Sequence, residues 1–306
     1  MIYPMYDLIT IGSISIDMFY QGASLTNDKT RFNLAIGGKY QVDHFHAGLG
    51  GGAANVAIGV QSEGFKAAVM GKVGENQFEG LIHKHLKDHN LTDALIQKEK
   101  DYMKISSILL SPEGERTIIH YETPHEHIIK TDKDLESLEN TKMIYMANLW
   151  RVSLHERKRI LSHLHQKNII TAVNLGIADC RRPLEQLKAI LQYIDILIIN
   201  THEFAEIAKQ KYEDLDFKKD VLPFALSLSS KITVITDGGN GSFAYAEGRV
   251  YDEPAHPVSK ILDTTGAGDA FSAGFLAGYL EKKDIQYAMH LGSKHAVKVI
   301  QKIGAN

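Results

Sequence analysis

The sequence lacks most of the features that mark secreted, membrane or nucleic-acid-binding proteins. It has one cysteine, Cys180, so no internal disulfide can form, and no cysteine–histidine spacing resembles a zinc site. Its net charge of −3, from 34 basic and 37 acidic residues, provides no large positive field for nucleic acid. The apolar stretch AFSAGFLAGYL near the C terminus has 11 residues, too few to span a bilayer. These absences predict a soluble, cytoplasmic protein with no membrane or nucleic-acid partner.

Signals of several other protein classes are also missing. The N-terminal segment MIYPMYDLITIGSISID has no basic region followed by a long apolar stretch, so it is typical of a strand and not of a signal peptide. Neither the P-loop G-x-x-x-x-G-K-[ST] nor the H-R-D catalytic loop of protein kinases occurs. Any phosphate-binding site in this chain must therefore be formed by a different motif.

What the sequence does have is an ordinary globular composition, 44% hydrophobic and 23% charged, and a regular alternation of elements. Short β-rich runs such as DLITIGS and DILIIN alternate with amphipathic segments such as LHERKRILSHLHQK. Repeated β-then-α units predict an α/β fold with a mostly parallel sheet covered by helices on both faces. No tandem repeat or low-complexity linker interrupts residues 1–306, so we expect a single domain.

Two segments, residues 30–48 and 102–122, break this alternation. They are strand-like with no helix between strands, and SPEG is typical of a turn. Strands outside the βα rhythm predict a small β subdomain, which we expect from residues 18–48 and 95–122. Placed over the edge of the main sheet it would act as a lid, because such sheets bind ligands at the carboxyl ends of their strands.

The stretch HAGLGGGAAN contains Gly48-x-Gly50-x-x-Ala53, which fits the dinucleotide fingerprint G-x-G-x-x-G/A. A single match of this kind is a weak signal. Glycines also occur wherever the backbone must turn tightly or come close to a ligand. From the loop alone, two interpretations stay open: a site for a dinucleotide, or a place where the backbone turns tightly or approaches some other ligand.

The stretch DTTGAGDAFSAGF is more informative, because it places Gly266, Ala267, Gly268 and Asp269 at the start of an apolar helix. Small residues at a helix start leave backbone N–H groups exposed, and these groups form an anion site together with the helix dipole. Asp269 would repel a phosphate there, but it would be useful as a proton acceptor while the amides hold the developing negative charge. The alternative is an aspartate that only stabilises the helix dipole. Physical reasoning alone leaves both interpretations open.

Several motifs together resemble the ribokinase-like (PfkB) family of sugar and nucleoside kinases. DTTGAGDAFSAGF is similar to its C-terminal signature, and Gly51–Gly74 is similar to its N-terminal one. NTHE, from Asn200 to Glu203, and TDGGNG, from Thr236 to Gly241, match two supporting motifs in the family order. The resemblance covers nearly the whole chain. It implies a three-layer α/β/α sandwich with a β-stranded lid, and it argues against a dinucleotide in the glycine loop.

The resemblance also implies roles for the acceptor side of the site. Asp269 would be the general base that accepts the proton of the substrate hydroxyl. The amides of Gly266, Ala267 and Gly268 would form the anion hole for the transferring phosphoryl group. An ionised carboxylate offers about four acceptor positions, enough to bind two vicinal hydroxyls. The residues implied to bind the acceptor are Asp17, Gly51, Gly52 and Asn55.

On the nucleotide side, Asn200, Thr236, Gly238 and Gly241 would border ATP. Without the resemblance, TDGGNG would be an ordinary hairpin turn. Glu203, together with Asn200, would belong to the outer shell of the magnesium ion that accompanies ATP. The contact would run through water, because magnesium keeps much of its hydration.

Two features depart from the family pattern. Asp263 and Thr265 match one half of the loop that binds a monovalent cation, but the other half usually continues past a Gly-Ala pair where this chain ends in Gly304-Ala305-Asn306. The motif therefore predicts one half of a potassium site, formed by Asp263 and Thr265. Some members carry GGKG in the glycine loop, whereas this chain has GGGA. The missing lysine favours an acceptor that is not already phosphorylated.

Two histidine pairs have metal-like spacing. His85 and His89 are four residues apart on a predicted helix, and His125 and His127 form an H-x-H. No third ligand is evident for either pair, and we expect both on the solvated surface.

The sequence thus predicts an ATP- and magnesium-dependent kinase that phosphorylates a hydroxymethyl group of a sugar. A nucleoside kinase of the adenosine or inosine type is the nearest alternative, since Phe32, Tyr40 and Phe45 would stack on a base if they faced the acceptor; lid packing is the other explanation for them. A catalytically silent sugar-binding regulator is a further alternative, against which the intact Asp269 and glycine run argue. Lid edges in this architecture can pair between subunits, so a homodimer through the lid is one expectation.

Overall fold

The fold was analysed in a computed structural model, which describes residues 6–28, 30–112, 114–149 and 151–305. Strands and helices alternate along these ranges as the sequence predicts. The strands are β1 Tyr6–Ile11, β2 Ser15–Gln21, β3 His44–Gly50, β4 Ala67–Met70, β5 Lys72–Gly74, β6 Gln97–Glu99, β7 Lys104–Leu110, β8 Arg116–Glu122, β9 Thr141–Met146, β10 Ile170–Asn174, β11 Ile196–Asn200, β12 Ile232–Thr236, β13 Ser242–Ala246 and β14 Arg249–Glu253. The helices are α1 Gly52–Ser62, α2 Glu79–Asp88, α3 Asp132–Ser137, α4 Leu154–Gln166, α5 Ile177–Cys180, α6 Leu184–Leu191, α7 Thr201–Ala208, α8 Leu222–Ser227, α9 Ala267–Lys282 and α10 Ile285–Ile300.

The main sheet has eight strands in the order β14-β13-β12-β11-β10-β9-β1-β4. Its strands from β12 to β4 pair in parallel, whereas β13 and β14 form an antiparallel edge. Neighbouring side chains on each strand enter different cores: Leu8, for example, packs with α1 and α9, and Ile9 packs with α4, α6 and α7. Parallel strands that are covered on both faces consist of nearly continuous apolar residues, as in ILIIN of β11. The predicted α/β/α sandwich with a mostly parallel sheet is confirmed.

A separate four-stranded sheet, here called the small sheet, has the order β3-β2-β7-β8. It is mixed, since β2 pairs antiparallel with β3 and parallel with β7. Its register aligns Gly48, Asp17, Ser106 and His120 in one row across the four strands. Side chains alternate across a sheet, so this row shares one face, the face that carries the predicted acceptor carboxylate.

The predicted strand-like segment 30–48 is wrong over most of its length. Only β3 is a strand there, and an isolated bridge joins Asn27 to Phe32. Gly37 adopts a φ of +74°, and the hydroxyl of Tyr40 accepts from the backbone amide of Ala35 across the resulting loop. A left-handed glycine and a local side-chain bond favour a turn over a strand. Among the described residues, no helix is long and apolar enough to cross a bilayer.

Candidate active site

The loop before α9 is held in one conformation by its contacts with the chain end. Gly266 caps α9 with a φ of +76°, and a Cβ added there would lie 2.4 Å from the Cβ of Ala305. Glycine is therefore required at this position for two reasons, conformation and space. The first helical hydrogen bond of α9 runs from the Ala270 amide to the Gly266 carbonyl, at 2.8 Å. The amides of the residues just before Ala270 precede the helical ladder, as an anion site requires.

One amide of the predicted anion hole already has a partner. The N–H of Ala267 donates to the carbonyl of Thr264 at 3.3 Å, a long bond within the turn. Gly268 lies in the wall of the neighbouring cleft and is exposed. The geometry therefore gives Gly268 the more accessible position of these two residues.

Asp269 lies in the first turn of α9 and meets the glycine loop directly. The side-chain amide of Asn55, in α1, donates to Asp269 Oδ2 at 2.7 Å, although the two residues are 214 positions apart. The other oxygen, Oδ1, points to Gly52, where an added Cβ would lie 3.3 Å from it. The two motifs that carry the family resemblance are thus joined by one hydrogen bond.

The surroundings of Asp269 make its carboxylate more basic. Burial raises the pKa of Asp269 above its ordinary value, and the negative charge of Asp17 raises it further. The hydrogen bond from Asn55 acts in the opposite direction, because it favours the charged form. A carboxylate with a raised pKa accepts a proton more readily than one in water, which suits a general base.

The glycine loop comes close to the first strand's end. Gly51 has a φ of +96°, and a Cβ added to it would lie 2.4 Å from the carbonyl oxygen of Ser13. The Ser13 hydroxyl also accepts from the amide of Gly52 at 3.1 Å. Any side chain at Gly51 would therefore push the loop away from Ser13 and disturb the start of α1.

Asp17 is buried on the small sheet, with 8% of its surface exposed. Its Oδ1 accepts from the Ser15 hydroxyl at 3.0 Å, and the Ser106 hydroxyl lies 3.2 Å from His120 Nδ1 beside it. Burial raises the pKa of Asp17, while the hydroxyls of Ser106 and Ser15 counteract this shift. A Cβ on Gly50 would lie 2.0 Å from Asp17 Oδ2, so only glycine leaves room for this carboxylate.

Three residues beside Asp17 were not found from the sequence: Gly50 as its spacer, and Ser106 and His120 as its neighbours. Ser106 and His120 come from β7 and β8, and only the strand register places them beside β2. Of these three residues, only Gly50 has a sequence signal, because it belongs to the same glycine run as Gly51 and Gly52.

On the other side of Asp269, a cleft of about 550 Å³ opens at the carboxyl ends of β10, β11 and β12. This is where the topology of an α/β sheet places a ligand. Gly241 does not line the cleft; a Cβ on it would lie 2.3 Å from the Glu253 carbonyl oxygen, on the hairpin behind. Tyr145, Asn174 and Ser272 line it and were not found from the sequence. The predicted residues that line it are Asn200, Glu203, Thr236, Gly238, Gly268 and Asp269.

Asn200 and Glu203 form a reciprocal capping box at the start of α7. Asn200 Oδ1 accepts from the Glu203 amide at 2.9 Å, and Glu203 Oε2 accepts from the Asn200 amide at 2.8 Å. The pattern N-x-x-E is itself a capping-box signature, so the motif has a structural role besides any role in metal binding. Burial raises the pKa of Glu203 to about 7, against a smaller opposing effect of the Asn200 amide. A half-buried oxygen donor with this pKa at the cleft wall is chemically suited to a magnesium shell.

The predicted cation residues belong to the loop before α9. Asp263 is buried, and its Oδ1 accepts from the Thr265 amide at 2.8 Å while its Oδ2 accepts from the Gly304 amide at 3.1 Å. Asp263 thus ties the loop to the chain end. Within the described ranges, the hydroxyl oxygen of Thr265 is buried without a hydrogen-bond partner. An oxygen of this kind fits a potassium-type ion, which binds through oxygen atoms.

The two histidine pairs meet the expectation of a solvated surface only in part. His127 is exposed, with 67% of its side chain accessible. The side chain of His125 is only 8% exposed and packs edge-on against Tyr102. The prediction is therefore wrong for His125, because the Tyr102 ring covers it. His85 and His89 are half-buried and line a cavity below the small sheet.

Comparison with known proteins gives the family. Residues 7–306 match the family described as pfkB family carbohydrate kinase. The chain is 26% identical over 312 residues to 5-dehydro-2-deoxygluconokinase of Listeria innocua, covering 97% of this chain and 90% of that one. It is 22% identical to an ATP-dependent 6-phosphofructokinase of Thermoanaerobacterium thermosaccharolyticum, covering 98% and 89%.

Solved structures at 20% and 22% identity show the same fold. Ribokinase of Arabidopsis thaliana, complexed with ribose and ATP, superposes with a TM-score of 0.81 at 20% identity and covers 98% of this chain and 94% of its own. Adenosine kinase of Sinorhizobium meliloti superposes with a TM-score of 0.78 at 22% identity, covering 99% and 96%. The family match covers almost the whole length of the chain. The chain belongs to the pfkB family of carbohydrate kinases, phosphotransferases with an alcohol group as acceptor.

Proposed function

We propose that this protein transfers the γ-phosphoryl group of ATP to a hydroxymethyl group of a sugar, with Asp269 as the general base. The observation that carries the proposal is the hydrogen bond from Asn55 to Asp269. It fixes a carboxylate of raised pKa between Asp17 and the glycine loop on one side and the 550 Å³ cleft on the other. A base that separates two binding regions is what a direct transfer between two substrates needs.

In the proposed step, the acceptor hydroxyl lies at Asp269 Oδ1, since Oδ2 already accepts from Asn55. The proton of this hydroxyl passes to Oδ1 while its oxygen forms a bond to the γ-phosphorus. The bond between that phosphorus and the β,γ-bridging oxygen breaks, and ADP leaves. The amides at the start of α9, around Gly266, Ala267 and Gly268, stabilise the negative charge on the transferring group.

Asp17 would hold the acceptor. Its carboxylate is fixed by Ser15 and spaced by Gly50, so it offers a rigid pair of acceptor oxygens to vicinal hydroxyls. Gly51 and Gly52 would bring the backbone close to the same molecule. Asn55 would contact the acceptor as well as orient Asp269.

The cleft would bind ATP along Asn200, Thr236 and Gly238, with Gly241 supporting the turn from behind. Glu203 and Asn200 would belong to the outer shell of a magnesium ion, which neutralises phosphate charge when bound. Asp263 and Thr265 would hold a monovalent cation such as potassium, next to the anion hole. In this proposal each of these residues supports binding, and Asp269 alone transfers a proton.

Two observations favour a sugar over a nucleoside. Phe45 is 59% exposed and packs against Tyr20, on the face of the small sheet opposite to Gly48 and Asp17. Tyr40 bonds within its own loop, to the Ala35 amide. Phe45 therefore does not face the acceptor carboxylate, and the Tyr40 hydroxyl already has a partner in its own loop. Relatives named for a deoxygluconate derivative and for fructose 6-phosphate agree with a sugar, although a nucleoside acceptor stays the alternative.

The small sheet would serve as the lid. A hydrogen bond from Arg116, at the start of β8, to Thr264 connects it to the loop before α9. Closure would exclude water, which competes as a phosphoryl acceptor. We include in the proposal a homodimer through the lid, because Phe45, Ile119 and Tyr121 expose apolar surface on its outer face. A cytoplasmic location belongs to it too, since Cys180 is a free buried thiol and ATP is the donor.

The test is a screen for ADP release with ATP, magnesium and a panel of sugars, sugar acids and nucleosides. The proposal expects ADP release that depends on one or more sugars and disappears in Asp269→Asn. Product analysis should find phosphate on a hydroxymethyl oxygen. A nucleoside as the only acceptor would replace the sugar proposal, and equal turnover in Asp269→Asn would reject the base.

A further inference from the structure

Three side chains of metal-ligand type converge behind the nucleotide cleft, where β14 ends beside α10. Glu253 is the last residue of β14, His256 follows three positions later, and His290 lies in α10. One ligand atom from each residue lies within 4.8 Å of the other two. Across the described residues, this is the one such group of histidine, cysteine or carboxylate side chains that was found.

The distances in this cluster are close to those of a bound ion. His290 Nδ1 is hydrogen-bonded to Glu253 Oε1 at 2.9 Å, a bond that an ion would replace, and His256 Nε2 lies 3.4 Å from the same oxygen. Ligands that bind zinc tetrahedrally at about 2.0–2.2 Å are roughly 3.4 Å apart. Only small side-chain movements would therefore bring the three atoms around one centre.

The carboxylate is also oriented from outside the cluster. Gln286, in the first turn of α10, donates from its side-chain amide to Glu253 Oε2 at 2.8 Å and to the Asp252 carbonyl at 3.1 Å. This arrangement leaves Oε1 directed at the two histidines. Fixed ligands with a hydrogen-bonded second oxygen are typical of protein metal sites.

His256 supplies an independent indication. In the portion of the chain that the structure describes, its Nε2 atom is buried without a hydrogen-bond partner. Its contact with Glu253 Oε1, at 3.4 Å, lacks hydrogen-bond geometry. A buried polar atom of this kind is unfavourable unless something binds it, and a metal ion would.

We propose that Glu253, His256 and His290 bind a divalent ion of the zinc class. Two imidazole nitrogens and one carboxylate oxygen suit zinc and its transition-metal neighbours, whereas magnesium prefers oxygen ligands alone. The histidine side chains are 27% and 40% exposed, so solvent reaches the edge of the cluster, and water would supply the fourth ligand. The site is separate from the magnesium residues of the cleft.

The position of the cluster connects it to the nucleotide turn. A Cβ on Gly241 would lie 2.3 Å from the Glu253 carbonyl oxygen and 2.9 Å from the Ala255 amide. The backbone between Glu253 and His256 therefore packs directly on the end of the TDGGNG turn. A bound ion would hold this backbone, α10 and the β14 end together, and would stabilise the folded protein by mass action.

The experiment uses protein stripped with EDTA and dialysed into buffer with excess magnesium, without ATP or sugar. Calorimetric titration with zinc chloride should show one bound equivalent and a rise in melting temperature. His256→Ala and His290→Ala should each abolish that equivalent, and Gln286→Ala should weaken it by about 10–100-fold. The control is the double variant His85→Ala/His89→Ala, which removes two half-buried histidines elsewhere and should bind zinc like the parent.

Two outcomes would overturn the proposal: parent protein that binds no zinc, or equal zinc binding in the parent and in His256→Ala/His290→Ala. Circular dichroism checks that each variant is folded. Should the histidine variants unfold, cobalt titration of the parent and of Glu253→Gln provides the same decision, since a tetrahedral site gives strong visible absorption that the variant should lack. No nucleotide is present, so the result is independent of the kinase proposal.

Discussion

The two sides of Asp269 are built in different ways. On the side proposed for the acceptor, Asp17 and Asn55 are buried, and Gly50 and Gly51 allow contacts that any Cβ would block. On the side proposed for the nucleotide, the cleft is open, about 550 Å³, and Asn200 is exposed at its wall. The acceptor side is thus fixed by packing, whereas the nucleotide side is formed by strand ends and a helix cap.

This difference predicts how each side responds to substitution. In the proposed site, the packed glycines and the buried Asp17 carboxylate would determine the position of the acceptor, so a change there should act strongly on one substrate. Residues at helix starts have two roles, because Asn200 and Glu203 cap α7 as well as line the cleft. Changes there should have smaller catalytic effects that include a contribution from the fold.

Asp269→Asn tests the boundary between the two sides and should have the largest effect. The variant keeps the shape and the hydrogen bond site for Asn55 but loses the proton acceptor. We expect kcat to fall by about 10²–10⁴-fold, with much smaller changes in KM for either substrate. Single-turnover phosphoryl transfer measures the loss of rate, and a melting curve checks that the variant keeps its fold.

Asp284→Asn is the matched control for this variant. Asp284 caps the neighbouring helix α10 by accepting from the Tyr287 amide at 2.7 Å, so it is an aspartate with a helix-start role alone. Its variant should keep the parent kcat. If the two variants lose the same activity and the same stability, Asp269 only stabilises the start of its helix and the proposed mechanism is wrong.

Asp17→Ala should be the next largest effect and should act on the acceptor only. Hydrogen bonds to a charged group contribute about 1.5–3 kcal/mol each, so the loss of one or two predicts an increase in acceptor KM of about 10²-fold. ATP affinity should stay near the parent value. Calorimetric titration with each substrate checks this, with Asp88→Ala, an exposed carboxylate on α2, as the control. Equal losses of ATP and sugar affinity would contradict the assignment.

The same division explains how much of the site the sequence predicted. Asp269, Asn55 and the glycine run belong to contiguous motifs, and the motif resemblance indicated all of them. Ser106 and His120 were missed, because they reach Asp17 only through strand register. Sequence patterns give the order of strands along the chain, and pairing across a mixed sheet depends on long-range contacts.

The fold shows a similar limit. The βα alternation predicted the layered main sheet, since buried parallel strands and amphipathic helices have distinct periods. The segment 30–48, predicted to be strand-like, is mostly a loop that Gly37 and the Tyr40 hydroxyl stabilise. Local side-chain bonds of this kind outweigh strand propensity in short segments.

Glu203→Gln should have an intermediate effect on the nucleotide side. The half-saturating magnesium concentration should rise by about 10-fold, since groups behind a metal's direct ligands contribute about 10–100-fold. In the parent, this concentration should also rise as the pH falls through about 7, because Glu203 becomes neutral there. The variant should lack that pH dependence.

Glu206→Gln, on the exposed side of the same helix, is the control and should titrate like the parent.

The pH dependence of the stability of the ion-free protein gives a second test of the raised pKa of Glu203. A raised folded pKa means that the contribution of Glu203 to stability is fully present below the unfolded pKa, about 4.3. It is lost as the pH rises through about 7, and Glu203→Gln should remove this loss. A magnesium titration that overlays the parent would leave Glu203 with its capping role alone.

The smallest catalytic effect is expected from the two glycines of the TDGGNG turn, which the structure separates. Gly238 lines the cleft, and an added Cβ would contact nothing within 4 Å, although its φ is +50°. Gly238→Ala should therefore cost about 1–2 kcal/mol of stability and raise the KM for ATP modestly. Gly241 has a φ of +102° and lies against the Glu253 carbonyl, so Gly241→Ala should cost about 3 kcal/mol or more of stability.

Denaturant unfolding and ATP titration compare the two glycine variants. Because Gly241 does not line the cleft, its variant should recover ATP affinity at low temperature, where it is folded. Equal stability losses in the two variants would show that the turn is not held against the β14 end as the structure describes.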